Sequence, residues 1–216
     1  MYQSLSCKKS VDALEGTSSP SPAGGIPTHS RMDKGDDRTM TSSDTQNLTL
    51  YILTGLPFSG KSTLAEKLSE ALQMKVVSYD HDIYEYYQHI VPLGTSKAEE
   101  YELIQAIAHE HLRALLDRGE SIIYDDLNLE ESDRQKVQET AHACHAKSVI
   151  IYTNTPLDVI QERRKANSTT NGRGHSSENT MQLDISLFQP PLPEEGVWVE
   201  PGYEISKVIE KMREKI

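Results

Sequence analysis

The segment Gly55-Leu56-Pro57-Phe58-Ser59-Gly60-Lys61-Ser62 matches the pattern G-x-x-x-x-G-K-[ST], and no other feature of the chain limits its fold as strongly. Before it runs Leu48-Thr49-Leu50-Tyr51-Ile52-Leu53-Thr54, a β-rich stretch that predicts a strand. After it, Ser62 to Gln73 carries apolar residues at helical spacing through Leu64, Leu68, Ala71 and Leu72. Strand, glycine loop and helix in that order put a curled backbone at a helix N-terminus. Gly55 and Gly60 let successive N–H groups turn inward, and the positive end of the helix dipole adds to them, so the loop suits a polyphosphate. Lys61 is placed to reach the β- and γ-phosphates and the Ser62 hydroxyl to ligate Mg²⁺. The candidate nucleotide-binding residues are therefore Gly55, Leu56, Pro57, Phe58, Ser59, Gly60, Lys61, Ser62 and Thr63.

The rest of the patterned region alternates strands with helices. Further strands are expected at Lys75–Tyr79, Ser121–Tyr124, Ser148–Thr153 and Val197–Val199. A helix opens at Ser96, with Glu99 completing a capping box, and carries Leu103, Ile104, Ile107, Leu112, Leu115 and Leu116 as a core stripe before Gly119 stops it. A second capping box, Ser132 with Gln135, opens a helix that runs to His145. Thr155-Pro156 starts another, through Ile160 to Arg163-Arg164-Lys165, where it dissolves into the polar loop Asn167 to Gly174. Helices near Asn179–Phe188 and from Tyr203 complete the chain, and no internal repeat is visible. Such alternation predicts an α/β fold with a parallel sheet covered on both faces.

Composition separates a leader from this region. Residues 1–46 are Ser-, Thr-, Gly- and Pro-rich, as in Thr17-Ser18-Ser19-Pro20-Ser21-Pro22, and hold no lasting period, so they are read as disordered, with residues 47–216 as the folded domain. Met32 and Met40 lie ahead of the first strand, which leaves an over-long start as an equal explanation of the leader. Of the net charge of −11, only −1 belongs to the leader and −10 to the domain. That acidity disfavours a broad nucleic-acid surface, which would need many Lys and Arg to neutralise phosphates. Cys7 and Cys144 lie far apart and do not suggest a disulfide framework. No export signal follows the N-terminus and no window approaches eighteen apolar residues, so a cytoplasmic protein is expected.

In open parallel sheets ligands lie beyond the carboxyl ends of the strands, which singles out the acids there. Asp80, with Asp82 close behind, ends the second strand, and Asp125-Asp126, followed by Asn128, end the third. Transfer of a phosphoryl group to a hydroxyl needs one carboxylate to position the hydroxyl and take its proton, and another for Mg²⁺ or its water shell. Periodicity leaves Asp80 and Asp82 unresolved, though Asp80 directly follows the apolar run. Arg163, Arg164, Lys165 and Arg173 form a local basic concentration at a helix end running into a flexible loop, the arrangement a closing lid needs. His142, Cys144 and His145 sit on one predicted helix without a second ligand pair, so they do not make a zinc site. Neither Asn-Lys-x-Asp nor D-x-x-G after the third strand is present, which points to ATP rather than GTP.

On these residues the chain resembles, over about residues 48–199, the P-loop kinase group that includes phage-type polynucleotide 5′-kinases, zeta-toxin-like kinases and small AAA_33-type ATP-binding proteins. The likeness rests on the loop Gly55 to Thr63, Ser78-Tyr79-Asp80, Asp126-Leu127-Asn128-Leu129 with Arg134, Thr155-Pro156-Leu157 leading to Arg163, and Phe188-Gln189-Pro190-Pro191 with Glu194-Glu195-Gly196. It implies a P-loop NTPase three-layer sandwich of about five parallel strands with a kinase-like lid, the loop strand lying beside the strand that ends in Asp125-Asp126. It also implies Asp80 as base on the acceptor hydroxyl, Asp126 holding the acceptor or, with Ser62, the metal, and Arg163 or Arg164 as lid arginine. Two departures stand out: Ala166-Asn167-Ser168 replace the further lid arginine, and the arginine-rich acceptor surface of the phage-type enzymes is not apparent. The expected function is ATP- and Mg²⁺-dependent phosphoryl transfer to a small-molecule hydroxyl, with nucleic acid a disfavoured partner. A polynucleotide 5′-kinase and a slow ATP-binding switch are the alternatives.

Overall fold

The computed structural model describes residues 48–84, 89, 91–167 and 177–216. The expected leader, Arg173 and most of the polar loop around it lie outside the described residues. Strands β1 (Thr49–Thr54), β2 (Lys75–Ser78), β3 (Ile122–Asp125), β4 (Lys147–Thr153) and β5 (Gly196–Val199) alternate with helices. These are α1 (Lys61–Leu72), α2 (Lys97–Leu116), α3 (Glu131–Ala143), α4 (Leu157–Asn167), α5 (Glu178–Leu187) and α6 (Ile205–Glu214), with a single π-helical turn at Tyr79–Tyr84.

All strand pairings are parallel, in the order β2-β3-β1-β4-β5, so β1 lies beside β3, the strand ending in Asp125, as expected, with β4 on its other side. Every residue of β1 is buried, because it is central and covered on both faces. Its alternation splits the core in two. Leu50 and Ile52 join Ile122, Tyr124, Ile104, Leu112, Leu115 and Val137 on one face, under α2 and α3. Tyr51 and Leu53 join Ile123, Ile151, Leu64, Leu68, Val208 and Met212 on the other, under α1 and α6. A third cluster of Leu56, Leu129, Ile160 and Met181, with Phe58 packed against it, ties the glycine loop to α4 and α5.

The Ser96–Glu99 capping box is present at α2. Two expectations need correction. Leu103 is 40% exposed and leaves the stripe, whose buried face runs through Ile104, Ala108, Leu112, Leu115 and Leu116. The cap of helix α3 lies two residues earlier than expected, because Glu130 and Asp133 form its capping box in place of Ser132 and Gln135. Among the described residues no helix is long and apolar enough to cross a membrane.

Candidate active site

The glycine loop joins β1 to α1 and is fastened mostly through its backbone. The Gly55 N–H donates to the Leu127 carbonyl at 3.2 Å and the Ser59 N–H to the Leu56 carbonyl at 3.2 Å. The Ser59 and Thr153 hydroxyls are 2.6 Å apart, and the Thr155 hydroxyl donates to the Ser59 carbonyl at 2.7 Å. Gly55 stands at φ 145° with Thr153 so close that a Cβ would lie 2.5 Å from its Oγ1, a place only glycine fits. Gly60 is the N-cap of α1, and no side chain caps that helix. Its first N–H groups are therefore left for an anion.

Lys61 is 7% exposed, and its Nζ donates to the carbonyls of Gly55 at 2.8 Å and Leu56 at 3.0 Å, so the ammonium is folded over the loop it will serve. Burial lowers its pKa, while Asp125, Asp126, Asp80 and Asp184, in decreasing order, pull it back up. Four carboxylates thus act electrostatically on one lysine. Burial raises the Asp125 pKa, and the nearby Ser62 hydroxyl and the Lys61 charge lower it. The Asp125 and Ser62 oxygens, beside a polyphosphate loop, fit Mg²⁺, which takes one or two protein oxygens and completes its shell with phosphate and water.

Asp126, expected beside Ser62, has other partners. Its Oδ1 accepts from the Leu127 N–H at 2.7 Å, and its Oδ2 from Tyr124 Oη at 3.1 Å and Gln105 Nε2 at 3.3 Å. Burial pushes its pKa up to about 6 against those three bonds. The two acids at the end of β2 differ in their partners: Asp82 Oδ2 accepts from the Ser78 N–H at 2.8 Å, at the π-helical turn. Asp80 is exposed, accepts no such bond among the described residues, and acts on Lys61, Asp125 and Asp126 alike.

The two arginines of α4 part company. Arg163 Nη1 donates to the carbonyls of Phe58 at 3.1 Å and Ser59 at 2.9 Å, on the crest of the loop. Arg164 instead pairs with Glu178 in the first turn of α5. Asn128 is buried at φ 45°, its Nδ2 donating to the Leu53 carbonyl at 2.8 Å, and Arg134 Nη1 donates to the carbonyls of Asn128 and Leu129 at 3.1 Å each. Both therefore shape the loop after β3. Asp184 escaped sequence reasoning: it is 9% exposed on α5, and burial raises its pKa while the Lys61 charge lowers it. The signal that could have found it is an acid set between the apolar Met181 and Ile185 of one helix.

A family model described as an AAA domain, AAA_33, matches residues 50–191, from β1 through the Pro190-Pro191 turn. The chain belongs to this AAA_33 family. An L-seryl-tRNA(Sec) kinase of Methanococcus maripaludis is 29% identical over 114 residues, which are 53% of this chain and 44% of that protein. The match thus spans less than half the length of this curated relative. A solved structure of a putative kinase from Chloroflexus aurantiacus superposes with TM-score 0.60 at 23% identity, over 79% of this chain and 96% of that one. A sugar kinase from Janibacter sp. HTCC2649 gives 0.55 at 16%, over 78% and 94%. Chaetomium thermophilum Kti12, solved with ADP-AlF3, gives 0.55 at 17%, over 76% and 96%. These structural likenesses show the fold, an α/β P-loop kinase sandwich, and a curated relative that the chain matches is named a kinase.

Proposed function

We propose that this AAA_33 chain is an ATP-dependent kinase that phosphorylates a hydroxyl of a small-molecule acceptor. The observation that carries the reading is the convergence on Lys61: a Ser62–Asp125 pair suited to Mg²⁺, and Asp80 without a hydrogen-bonding partner among the described residues, act on one buried ammonium. On binding ATP, Lys61 exchanges the Gly55 and Leu56 carbonyls for β- and γ-phosphate oxygens. Ser62 and Asp125 are the residues that would hold Mg²⁺, which supplies charge neutralisation between those phosphates. Asp80 accepts the proton of the acceptor hydroxyl as the acceptor oxygen bonds to the γ-phosphorus and the bond to the bridging oxygen breaks, releasing ADP. Asp126 holds the acceptor from the side of β3. Arg163, already on the loop crest, offsets charge on the transferring group, and Arg164 serves the α4–α5 connection instead.

The test is ADP release against pooled hydroxyl-bearing metabolites and oligonucleotides, with Mg²⁺ present. The reading expects stimulation by a small molecule with weak salt dependence. Stimulation by oligonucleotides alone, falling steeply with salt, would replace it with a polynucleotide or RNA acceptor. That second reading draws on the likeness to a tRNA-directed kinase and is opposed by the domain's charge of −10. Slow ADP release that no acceptor alters would support a nucleotide switch.

A further inference from the structure

Four tyrosines gather where the acceptor would enter. Tyr79 at the end of β2 lies 6.4 Å, centroid to centroid, from both Tyr84 and Tyr101, stacked on the first and tilted to the second. Tyr124 of β3 reaches Asp126 through its hydroxyl, and Gln105 Nε2 donates to Tyr101 Oη at 3.1 Å as well as to Asp126. Tyr84 Oη donates to Glu100 Oε1 at 3.5 Å. The rings are thus fixed in one network with the carboxylates, while Tyr101 keeps 49% of its surface exposed.

The charge on this side is predominantly acidic. By sequence, residues 76–106 hold Asp80, Asp82, Glu85, Glu99, Glu100 and Glu102 against a single basic residue, Lys97, besides His81 and His89. Asp184, 9% exposed, adds a further carboxylate, whose pKa burial raises and the Lys61 charge lowers. Lys61 is already shared by four carboxylates and is claimed by the triphosphate once ATP binds. An anionic acceptor would bring further like charge into this field. A cation would relieve it, and exposed tyrosine faces attract an ammonium through the ring quadrupole.

We propose that the acceptor is a hydroxyl-bearing amine, such as an amino alcohol or amino sugar, whose ammonium rests against Tyr101 and Tyr84 beside Glu100 while its hydroxyl meets Asp80. This rests on the kinase reading above. The experiment uses the full chain and matched acceptors: glucosamine, glucose and gluconate, then ethanolamine, ethylene glycol and glycolate. ADP release is expected to give the amine a kcat/KM about 10-fold above the neutral alcohol, and further above the acid. Tyr101→Leu should raise the amine KM about 10-fold with the KM for ATP unchanged, and Tyr101→Phe, which keeps the ring face, should restore it. A neutral or acidic acceptor used as well as the amine, or a Tyr101→Leu enzyme with undiminished preference, overturns the proposal. Tetramethylammonium, titrated calorimetrically with Mg²⁺ and a non-hydrolysable ATP analogue, reports the cation site apart from chemistry. Saturable binding lost in Tyr101→Leu upholds the cation site even if no acceptor is phosphorylated, in which case the kinase reading alone fails. No saturable binding together with no amine preference sinks the proposal.

Discussion

The glycine loop is held largely through its own backbone, whereas the wall beside it, formed by Tyr101, Gln105, Tyr124 and Asp126, is held by side chains. Around the loop, carbonyls and N–H groups of Gly55, Leu56, Phe58 and Ser59 receive Lys61, Arg163, Thr155 and Leu127. On the wall, Tyr101, Gln105, Tyr124 and Asp126 hold one another through side-chain bonds. Backbone bonds tolerate most residue types and so define a general phosphate seat. Side-chain networks depend on every member, and they are where one kinase of this fold differs from another.

The largest effect that separates the two sides is expected from Lys61→Met. Losing the ammonium should lower phosphoryl transfer about 1,000-fold, with ADP release as the readout. Stability should hold or rise in the same variant, since an ammonium held in the interior below its ordinary pKa is replaced by a side chain that suits burial. A variant that unfolds instead would mean Lys61 is a structural strut of the loop. Next comes the pair at the end of β2. Asp80→Asn should reduce kcat about 100-fold or more while ATP binding persists. Asp82→Ala should leave kcat within a few-fold but cost about 1 kcal/mol in urea unfolding, because it removes the acceptor for the Ser78 N–H. Reversed results would exchange the two roles.

Legibility followed the same division. The strand–loop–helix unit is local, and its glycines, lysine and serine carry their meaning in their spacing. The acidic strand ends were legible as a set, since sheet topology places strand ends together. Which acid meets Ser62 was not legible: neighbours on an extended chain point to opposite sides, and only three-dimensional placement gives Asp125 to the serine and Asp126 to Tyr124. Leu103 and Ile104 lie 100° apart on a helix, so one stripe can accommodate both on paper while packing buries only the second. Asp184 reaches Lys61 from a helix 123 positions later, a proximity that no periodicity encodes.

A smaller effect tests how far the loop's backbone fastening constrains it. Gly55→Ala introduces a Cβ that would meet Thr153 Oγ1 at 2.5 Å and Ser59 Oγ at 3.0 Å, at a φ of 145°. The cost should be about 2 kcal/mol in denaturant unfolding. Thr153→Ala in the same chain should recover part of it, because the nearest clash disappears while the backbone strain remains. Full recovery would assign the whole cost to the contact, and no recovery would assign it to the backbone.

The smallest effect concerns the support of the wall rather than the wall itself. Helix α2, which carries Tyr101 and Gln105, leans on α3 through His109, whose Nδ1 lies 2.8 Å from Thr140 Oγ1. Burial, then Lys136 and Arg113, lower the His109 pKa, with Asp133 and Glu110 opposing. The unfolded chain, with an ordinary histidine near pH 6.5, then binds the proton more readily than the folded one. This histidine's share of stability is present above that value and is lost as pH falls from it toward the lowered folded pKa. Asp125, Asp126 and Asp184, whose pKa values are raised by burial, pull the other way, since acidification favours their folded state. The wild-type curve therefore mixes both signs, and the comparison must be made against His109→Gln, which does not titrate. Urea unfolding at pH 7.5 and 5.5 should show the wild type losing stability relative to the variant on acidification. An equal response from both proteins would mean that His109 is protonated as easily in the α2–α3 interface as in water, and that the wall's support is indifferent to pH.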